Sequence, residues 1–191
     1  MKYLKILLPI LVVVPGSLWA EQGDLPYRTD GFYLGVGGGV SVIEMQAGPI
    51  QVDSDDLATK LTVGYRIQKD FSRLGINLAI EGAYLDLGVV TDQSLGSTFD
   101  LEVDGLNLYA VAFFPIMDRW DIFGKAGIYS WDADLKVEGV TIDNDSDTDL
   151  AGGFGVSFNT ATAFGVRVDI ESFDMLDGAW ATTISGIYHF K

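Results

Sequence analysis

Seven charged residues occupy positions that alternate with apolar ones along the chain. They are Lys60, Arg66, Glu81, Lys125, Arg167, Asp169 and Glu171. If acidic and basic side chains share one enclosed interior, they must neutralise one another, because a buried charge without a partner is strongly destabilising. The pattern therefore predicts a structural ion-pair network. A pathway for protons or ions through the same residues is the sharper alternative.

Catalytic chemistry is not indicated by the sequence. A nucleophilic site of the Ser/His/Asp type needs a histidine beside the nucleophile, and the chain has a single histidine, His189, near the end of its last apolar segment. We therefore predict no catalytic residues and no enzymatic activity. No cofactor is predicted either.

A run of alternate aspartates, DNDSDTD at residues 143–149, has the spacing of the first part of a calcium-binding EF-hand loop. That loop requires glycine at its sixth position and a bidentate glutamate at its twelfth. This chain has Thr148 and Phe154 there. The prediction is a solvated acidic loop without a metal site.

Eight segments with a period of two must position these residues. They lie at about residues 31–43, 57–67, 74–87, 101–114, 120–133, 148–158, 163–173 and 179–190. Each has one apolar face and one small or polar face, and each is long enough to cross a bilayer as a tilted strand, which needs roughly 9–11 residues. The predicted fold class is all-β, an eight-stranded antiparallel up-and-down transmembrane β-barrel.

The connections between the segments alternate in length. Those at 68–73, 115–119 and 159–162 are short, whereas those at 44–56, 88–100 and 134–147 are long and acidic; the last, at 174–178, is short for an outer loop. Barrels of this class have short periplasmic turns and longer outer loops, so both termini are predicted to be periplasmic. Pro115 is placed in the turn after the fourth strand, because proline removes a ladder hydrogen bond.

Aromatic residues are predicted to form two girdles where the strands meet the headgroup layers. The periplasmic girdle would contain Tyr33, Tyr65, Phe71, Phe114, Trp120, Phe158, Phe164, Tyr188 and Phe190. The outer girdle would contain Tyr84, Trp131, Phe173 and Trp180.

The first twenty residues have the features of a secretory signal peptide. Lys2 and Lys5 precede an apolar run, Pro15, Gly16 and Ser17 follow it, and cleavage is predicted after Ala20, although Leu18 is larger than the residue usual at its position. Residues 1–20 are therefore predicted to be a signal peptide and residues 21–191 a single barrel domain. The whole chain has 27 acidic against 12 basic residues and no cysteine, which argues against nucleic-acid binding, disulfides and thiol chemistry.

Several motifs, taken in order, resemble the OmpA-like outer-membrane β-barrel family. They are GFYLGVG at 31–37, VGYR at 63–66, EGAYLDLG at 81–88, FGKAG at 123–127 and WDAD at 131–134. The ending YHF at 188–190 resembles the terminal aromatic signal that such proteins present to the outer-membrane assembly machinery, although Lys191 follows it. Two departures from the family are expected: the barrel without the peptidoglycan-binding domain that often follows it, and Val111 and Ser157 where the interior commonly has a second ion pair.

The expected function is that of a structural, non-enzymatic barrel spanning the outer membrane, with acidic loops that form an adhesin or receptor surface. A small, low-conductance pore is one alternative. A soluble periplasmic barrel enclosing an apolar ligand is another. The expected partners are outer-membrane lipid and lipopolysaccharide, with weak cation bridging from the acidic loops to its phosphates, and the assembly machinery through the strand ending at Phe190.

Overall fold

The alternation of apolar and small residues folds into eight antiparallel strands. In the computed structural model these are β1 Gly31–Ala47, β2 Ile50–Ile67, β3 Asn77–Ser94, β4 Ser97–Met117, β5 Trp120–Val137, β6 Val140–Asn159, β7 Phe164–Phe173 and β8 Ala179–His189. Each strand pairs with its neighbours in chain order, and β8 pairs with β1 from Tyr33↔His189 to Ile43↔Ala179. The sheet is therefore a closed barrel, and the predicted fold class is confirmed.

The structure describes residues 31–47, 50–67, 75–94, 97–137, 140–160, 163–175 and 178–190. The predicted signal peptide and its cleavage site lie outside these residues, as do Phe71 and Lys191. Within the described ranges, no helix has the length and apolar character needed to cross a membrane.

Strand pairing extends into the three connections that were predicted to be long loops. The β1–β2 ladder continues to Ala47↔Ile50, the β3–β4 ladder to Ser94↔Ser97 and the β5–β6 ladder to Val137↔Val140. The predicted loops at 44–56, 88–100 and 134–147 are therefore wrong. Antiparallel pairing is sustained by main-chain hydrogen bonds, which do not require one face of the strand to be apolar.

Pro115 also lies in a strand and not in the predicted turn. It pairs with Asp121 near the end of β4, where the β4–β5 register shifts before Met117↔Trp120. A proline is tolerated at such an irregularity because a regular ladder bond is already missing there. The turn itself is formed by Asp118 and Arg119.

Two groups of strands continue beyond the closed part of the barrel at one end: β1 with β2, which pair as far as Ala47↔Ile50, and β3 to β6. The β2–β3 ladder stops at Thr59↔Asp86 and the β6–β7 ladder stops at Ala151↔Phe173, whereas β3, β4, β5 and β6 remain paired with one another above these points. We call this part, residues 88–94, 97–105, 130–137 and 140–150, the extended sheet. The barrel end that carries it is the sheet end, and the opposite end, with the Asp118–Arg119 turn, is the turn end.

A glycine in a left-handed conformation lies where β3 leaves β2. Gly88 has a φ of 87°, and the β3–β4 register shifts between Asp86 and Val89. Such a φ is strained for residues with a Cβ. Gly88 thus allows the bulge, and its amide donates to Asp86 Oδ1 at 2.8 Å.

The outward face of the barrel is apolar and exposed, and the inward face is buried. The outward side chains of Val36, Leu61, Ile80, Leu108, Val166 and Ile184 are between 47% and 68% exposed. Lys60, on the opposite face of β2, is only 2% exposed. The alternative of a soluble barrel around an apolar ligand needs the reverse arrangement and is wrong.

A charge placed on the outward face will test this arrangement. Ala126 is exposed near the middle of the apolar face of β5. We expect Ala126→Arg to lower the free energy of unfolding in lipid vesicles by about 2–4 kcal/mol, because the guanidinium must enter hydrocarbon. Ser146→Arg, on the extended sheet, is the matched control and should have little effect. Equal losses in urea titrations of the two variants would contradict a lipid-facing position for Ala126.

Candidate functional site

The barrel interior contains all seven charged residues that the sequence predicted to face it. None of them is more than 6% exposed. Six of the seven form one cluster: Lys60 of β2, Glu81 of β3, Lys125 of β5, and Arg167, Asp169 and Glu171 of β7. We call these six residues the ionic layer.

Arg167 holds one side of the ionic layer. Its Nη1 and Nη2 donate to Glu81 Oε2 and Oε1 at 2.6 and 2.9 Å, and its Nε donates to Asp169 Oδ2 at 2.9 Å. A two-point contact between a guanidinium and a carboxylate fixes the orientation of both groups as well as their charge. The pair joins β7 to β3 across the interior of the barrel.

The two lysines complete the layer from the other side. Lys125 Nζ lies 2.5 Å from Asp169 Oδ1 and 3.0 Å from Glu171 Oε1. Lys60 Nζ lies 2.6 Å from Glu171 Oε2 and 3.4 Å from Asp169 Oδ1. The layer thus joins three cations and three carboxylates, which balance in charge. Such neutrality matters because the six side chains are removed from bulk water.

A tyrosine from β1 is also bound to the ionic layer. Tyr33 Oη donates to Glu81 Oε2 at 2.8 Å, and its ring passes directly over Gly64 of β2. A Cβ at position 64 would lie 2.0 Å from Tyr33 Cζ. Gly64 is therefore needed for the ring to cross the neighbouring strand and reach Glu81. Sequence reasoning assigned Tyr33 to the lipid-facing girdle and missed this contact.

Arg66 does not belong to the ionic layer. Its Nη2 lies 3.4 Å from Asp121 Oδ2, and its guanidinium carbon lies 3.8 Å from the centre of the Phe113 ring. Asn159 Nδ2 donates to the same Asp121 oxygen at 3.1 Å. These residues form a second polar level nearer the turn end. Asp121 was missed by sequence reasoning, although it shares the inward alternation of β5 with Lys125.

Apolar side chains fill the interior at the sheet end. Leu85, Leu87, Val103 and Met175 have no exposed surface, and the rings of Tyr129 and Phe173 pack with centroids 4.8 Å apart. Sequence reasoning expected paired charges to plug the interior. The apolar level escaped it because Leu85, Leu87 and Val103 alternate with the outward residues Asp86, Glu102 and Asp104, so the apolar face is here the inward one.

The aromatic girdles need three corrections. Tyr33, Trp131 and Phe173 point inward and are at most 4% exposed, so they do not contact lipid. Near the turn end the remaining rings lie on the outward face and contact one another, with centroid distances of 4.8 Å for Trp120 and Phe158 and 5.1 Å for Phe164 and Tyr188. Phe71 lies outside the described residues.

The outward face of the extended sheet is acidic. Asp104 of β4 pairs directly with Asp86 of β3 on one side and with Asp132 of β5 on the other, and Glu102 pairs with Asp134. Lys136 forms an ion pair with Glu102, and this hydrogen bond raises the pKa of Lys136 above its usual value. Directly opposed like charges destabilise a sheet. This surface therefore has an electrostatic cost that Lys136 relieves only in part.

The run of aspartates at 143–149 lies in β6 and not in the predicted loop. In the described part of the chain, no group of three or more histidine, aspartate or glutamate side chains is arranged to hold a metal ion. His189 faces the interior near the turn end, where its ring centroid lies 5.8 Å from that of Tyr33.

Comparison with known proteins agrees with this geometry. A family model described as the OmpA-like transmembrane domain matches residues 27–176. No curated protein matches the sequence significantly.

Solved structures with the same fold include three bacterial surface barrels. The attachment invasion locus protein Ail of Yersinia pestis, in complex with the heparin analogue sucrose octasulfate, is 18% identical and has a TM-score of 0.55, with 84% of this chain and 98% of Ail covered. Neisserial surface protein A is 13% identical with a TM-score of 0.61, covering 84% and 97%. The N-terminal barrel of Pseudomonas aeruginosa OprF is 11% identical with a TM-score of 0.53, covering 85% and 100%.

The bidentate contact between Glu81 and Arg167 will test the ionic layer. Glu81→Ala leaves Arg167 buried without its main partner, so we expect the free energy of unfolding to fall by about 3–5 kcal/mol. Urea titration in lipid vesicles measures the loss, with Asp132→Ala as the surface control. The double variant Glu81→Ala/Arg167→Ala should lose less than the two single variants combined. If Glu81→Ala were no more destabilising than Asp132→Ala, the ion pairs would not stabilise the barrel.

Proposed function

Because the chain belongs to the family of OmpA-like transmembrane domains, we propose that it is a closed, non-enzymatic barrel of the outer membrane whose extended sheet is an adhesin or receptor surface. Its partners are cationic. The barrel anchors and orients this sheet, and both termini lie on the periplasmic side. The experiments below test the surface and the barrel separately.

The row of opposed carboxylates carries this proposal. Asp86, Asp104 and Asp132 are adjacent across three strands on the outward face of the sheet, with Glu102 and Asp134 paired in the next row. Repulsion between these carboxylates lowers the stability of the sheet, and a binding role would account for it. A cationic partner would neutralise the carboxylates and recover the electrostatic cost on binding.

The sign of the charge distinguishes this surface from one that binds sulfated polysaccharides. Ail was solved in complex with a heparin analogue, which is a polyanion. In the extended sheet of this chain, Lys136 is the only basic residue, whereas aspartates or glutamate occupy positions 92, 100, 102, 104, 132, 134, 143, 145, 147 and 149. A polyanion would be repelled, so the proposed partner has the opposite charge.

Lipid and the assembly machinery are the proposed partners of the barrel wall. The outward apolar face contacts lipid, and the carboxylates just above it contact lipopolysaccharide phosphates through divalent cations. Phe190 is 44% exposed, and its ring packs edge-on against Tyr188 at 5.0 Å. This exposed aromatic pair at the end of β8 supports recognition of the last strand by the assembly machinery.

The interior is filled at three levels: the apolar level at the sheet end, the ionic layer, and the polar level of Arg66 and Asp121 near the turn end. This supports a non-conducting barrel over the alternative of a small pore. An ion that crosses the interior must pass the level of Leu85, Leu87, Val103 and Met175, which has no exposed surface. It must then separate the ion pairs of the ionic layer. Eight-stranded barrels have interiors just wide enough to be filled by side chains.

Binding of polycations to intact cells will test the surface. We expect cells displaying the protein to bind fluorescent poly-lysine and not fluorescent heparin. Replacing Asp100, Asp104, Asp132 and Asp134 by Asn should weaken poly-lysine binding about tenfold, since each exposed charge contributes a few tenths of a kcal/mol. Asp118→Asn, a change of the same type at the turn end, is the control and should have no effect. Preferential binding of heparin would refute a surface for cationic partners.

Conductance measurements will test the closed barrel. We expect purified, refolded protein in planar bilayers to show no sustained conductance, because the interior is blocked at three levels. Protein-free bilayers are the baseline. Steady porin-sized steps whose ion selectivity changes in Arg167→Ala would instead make the ionic layer a conducting pathway.

A further inference from the structure

Above Ala151↔Phe173, no strand among the described residues pairs with the β7-facing edge of β6. Main-chain groups of a strand point alternately to its two neighbours. On β6, the Asn159 amide donates toward β5, to Arg119 O, whereas Leu150 O and the Thr160 amide bond to Asp174 and Phe164 on the β7 side. The main-chain N–H and C=O groups of even-numbered β6 residues thus point toward β7. Because β7 ends at Phe173, the amides of Asn144, Ser146 and Thr148 point to an open edge.

Each of these three amides donates to the aspartate that precedes it. The Asn144 amide donates to Asp143 Oδ1 at 3.0 Å, the Ser146 amide to Asp145 Oδ1 at 2.9 Å, and the Thr148 amide to Asp147 Oδ1 at 2.7 Å. The alternating aspartates that resemble a calcium loop therefore bind main-chain amides instead. An aspartate occurs at every second residue, and every second amide of β6 faces the edge.

These bonds determine which hydrogen-bonding groups the edge presents to another strand. Pairing in a sheet needs donors and acceptors in alternation. With its donors occupied, the edge at residues 144–148 offers carbonyl oxygens and carboxylates, which are all acceptors. Exposed edges commonly attract other strands, and natural sheets block them with charged residues among other devices.

A second place where the barrel wall parts, between β2 and β3, has a similar arrangement. Where β2 and β3 separate, Asp56 accepts from the Leu57 amide at 2.7 Å through Oδ1 and from the Val89 amide at 2.6 Å through Oδ2. One carboxylate thus binds an amide from each of the two diverging strands. The two seams are far apart in sequence, so their common arrangement is an independent indication of its purpose.

We propose that Asp143, Asp145 and Asp147 close the β6 edge to strand addition, so that a second copy of this chain cannot pair with it. A strand approaching this edge would find no free amide donor at residues 144, 146 or 148. The mechanism is hydrogen bonding to the edge amides, not the negative charge as such. This proposal rests on the edge geometry and is independent of the proposed function.

Substitution of the three aspartates separates hydrogen bonding from charge. Asp143→Ala/Asp145→Ala/Asp147→Ala removes both, whereas the triple Asn variant removes the charge and retains a carbonyl oxygen as acceptor. We expect the Ala variant to shift from monomer to dimer at micromolar concentration in detergent, measured by light scattering, and the Asn variant to remain monomeric. Asp104→Ala/Asp132→Ala/Asp134→Ala removes equal charge from the face of the sheet and should also remain monomeric.

A cysteine at the edge will locate the contact between copies. The chain has no cysteine, so Ser146→Cys provides a single thiol. In the Ala background it should form disulfide-linked dimers, and Ser172→Cys on the outward face of β7 should not. Heat-modifiable gel mobility will verify that each barrel is folded. A monomeric Ala variant, dimers without a Ser146→Cys cross-link, or equal dimerisation of the Ala and Asn variants would overturn the proposal.

Discussion

Hydrogen bonding between β8 and β1 is the interaction on which the rest of the structure depends. Hydrocarbon cannot satisfy an unpaired main-chain group, so a sheet that spans it must have no edge. Ladder closure between Tyr33↔His189 and Ile43↔Ala179 meets this requirement. Edges can then exist only outside the hydrocarbon, which is where we propose that the β2–β3 and β6–β7 seams lie. At both seams, aspartate side chains satisfy amides that no neighbouring strand reaches.

Closure with eight strands also determines what the interior must contain. Alternate residues of every strand point into a space only wide enough for side chains, so any charge placed there must find its counter-charge within the same barrel. The ionic layer meets this condition with three cations and three carboxylates. Small residues are also needed beside long ones in this interior. Gly64 leaves the space through which the Tyr33 side chain reaches Glu81.

The alternation pattern was sufficient to predict the fold, because lipid outside and side chains inside give the two faces of a strand opposite chemistry. It also predicted seven charged residues that face inward, but it missed Asp121. It did not reveal which of them meet: Arg66 has the correct alternation but pairs with Asp121 near the turn end. Alternation specifies which face of the strand a residue occupies. Which ion pairs form depends instead on the position of each residue along the barrel axis and on the length of its side chain. Most of the extended sheet, at 88–94, 97–100, 134–137 and 140–147, was predicted as loops because its sequence does not alternate clearly between an apolar and a polar face.

The aspartates of the extended sheet act in two distinct ways. Those at 143, 145 and 147 are bound to their own edge amides, whereas Asp86, Asp104 and Asp132 lie side by side with their carboxylates turned outward. In our proposals, the first set makes main-chain pairing unfavourable and the second makes contact with cations favourable. The proposed surface needs both properties to be selective, because an open edge would bind strands of any sequence. The stability of the closed barrel below allows the sheet to keep its repulsive surface without unfolding.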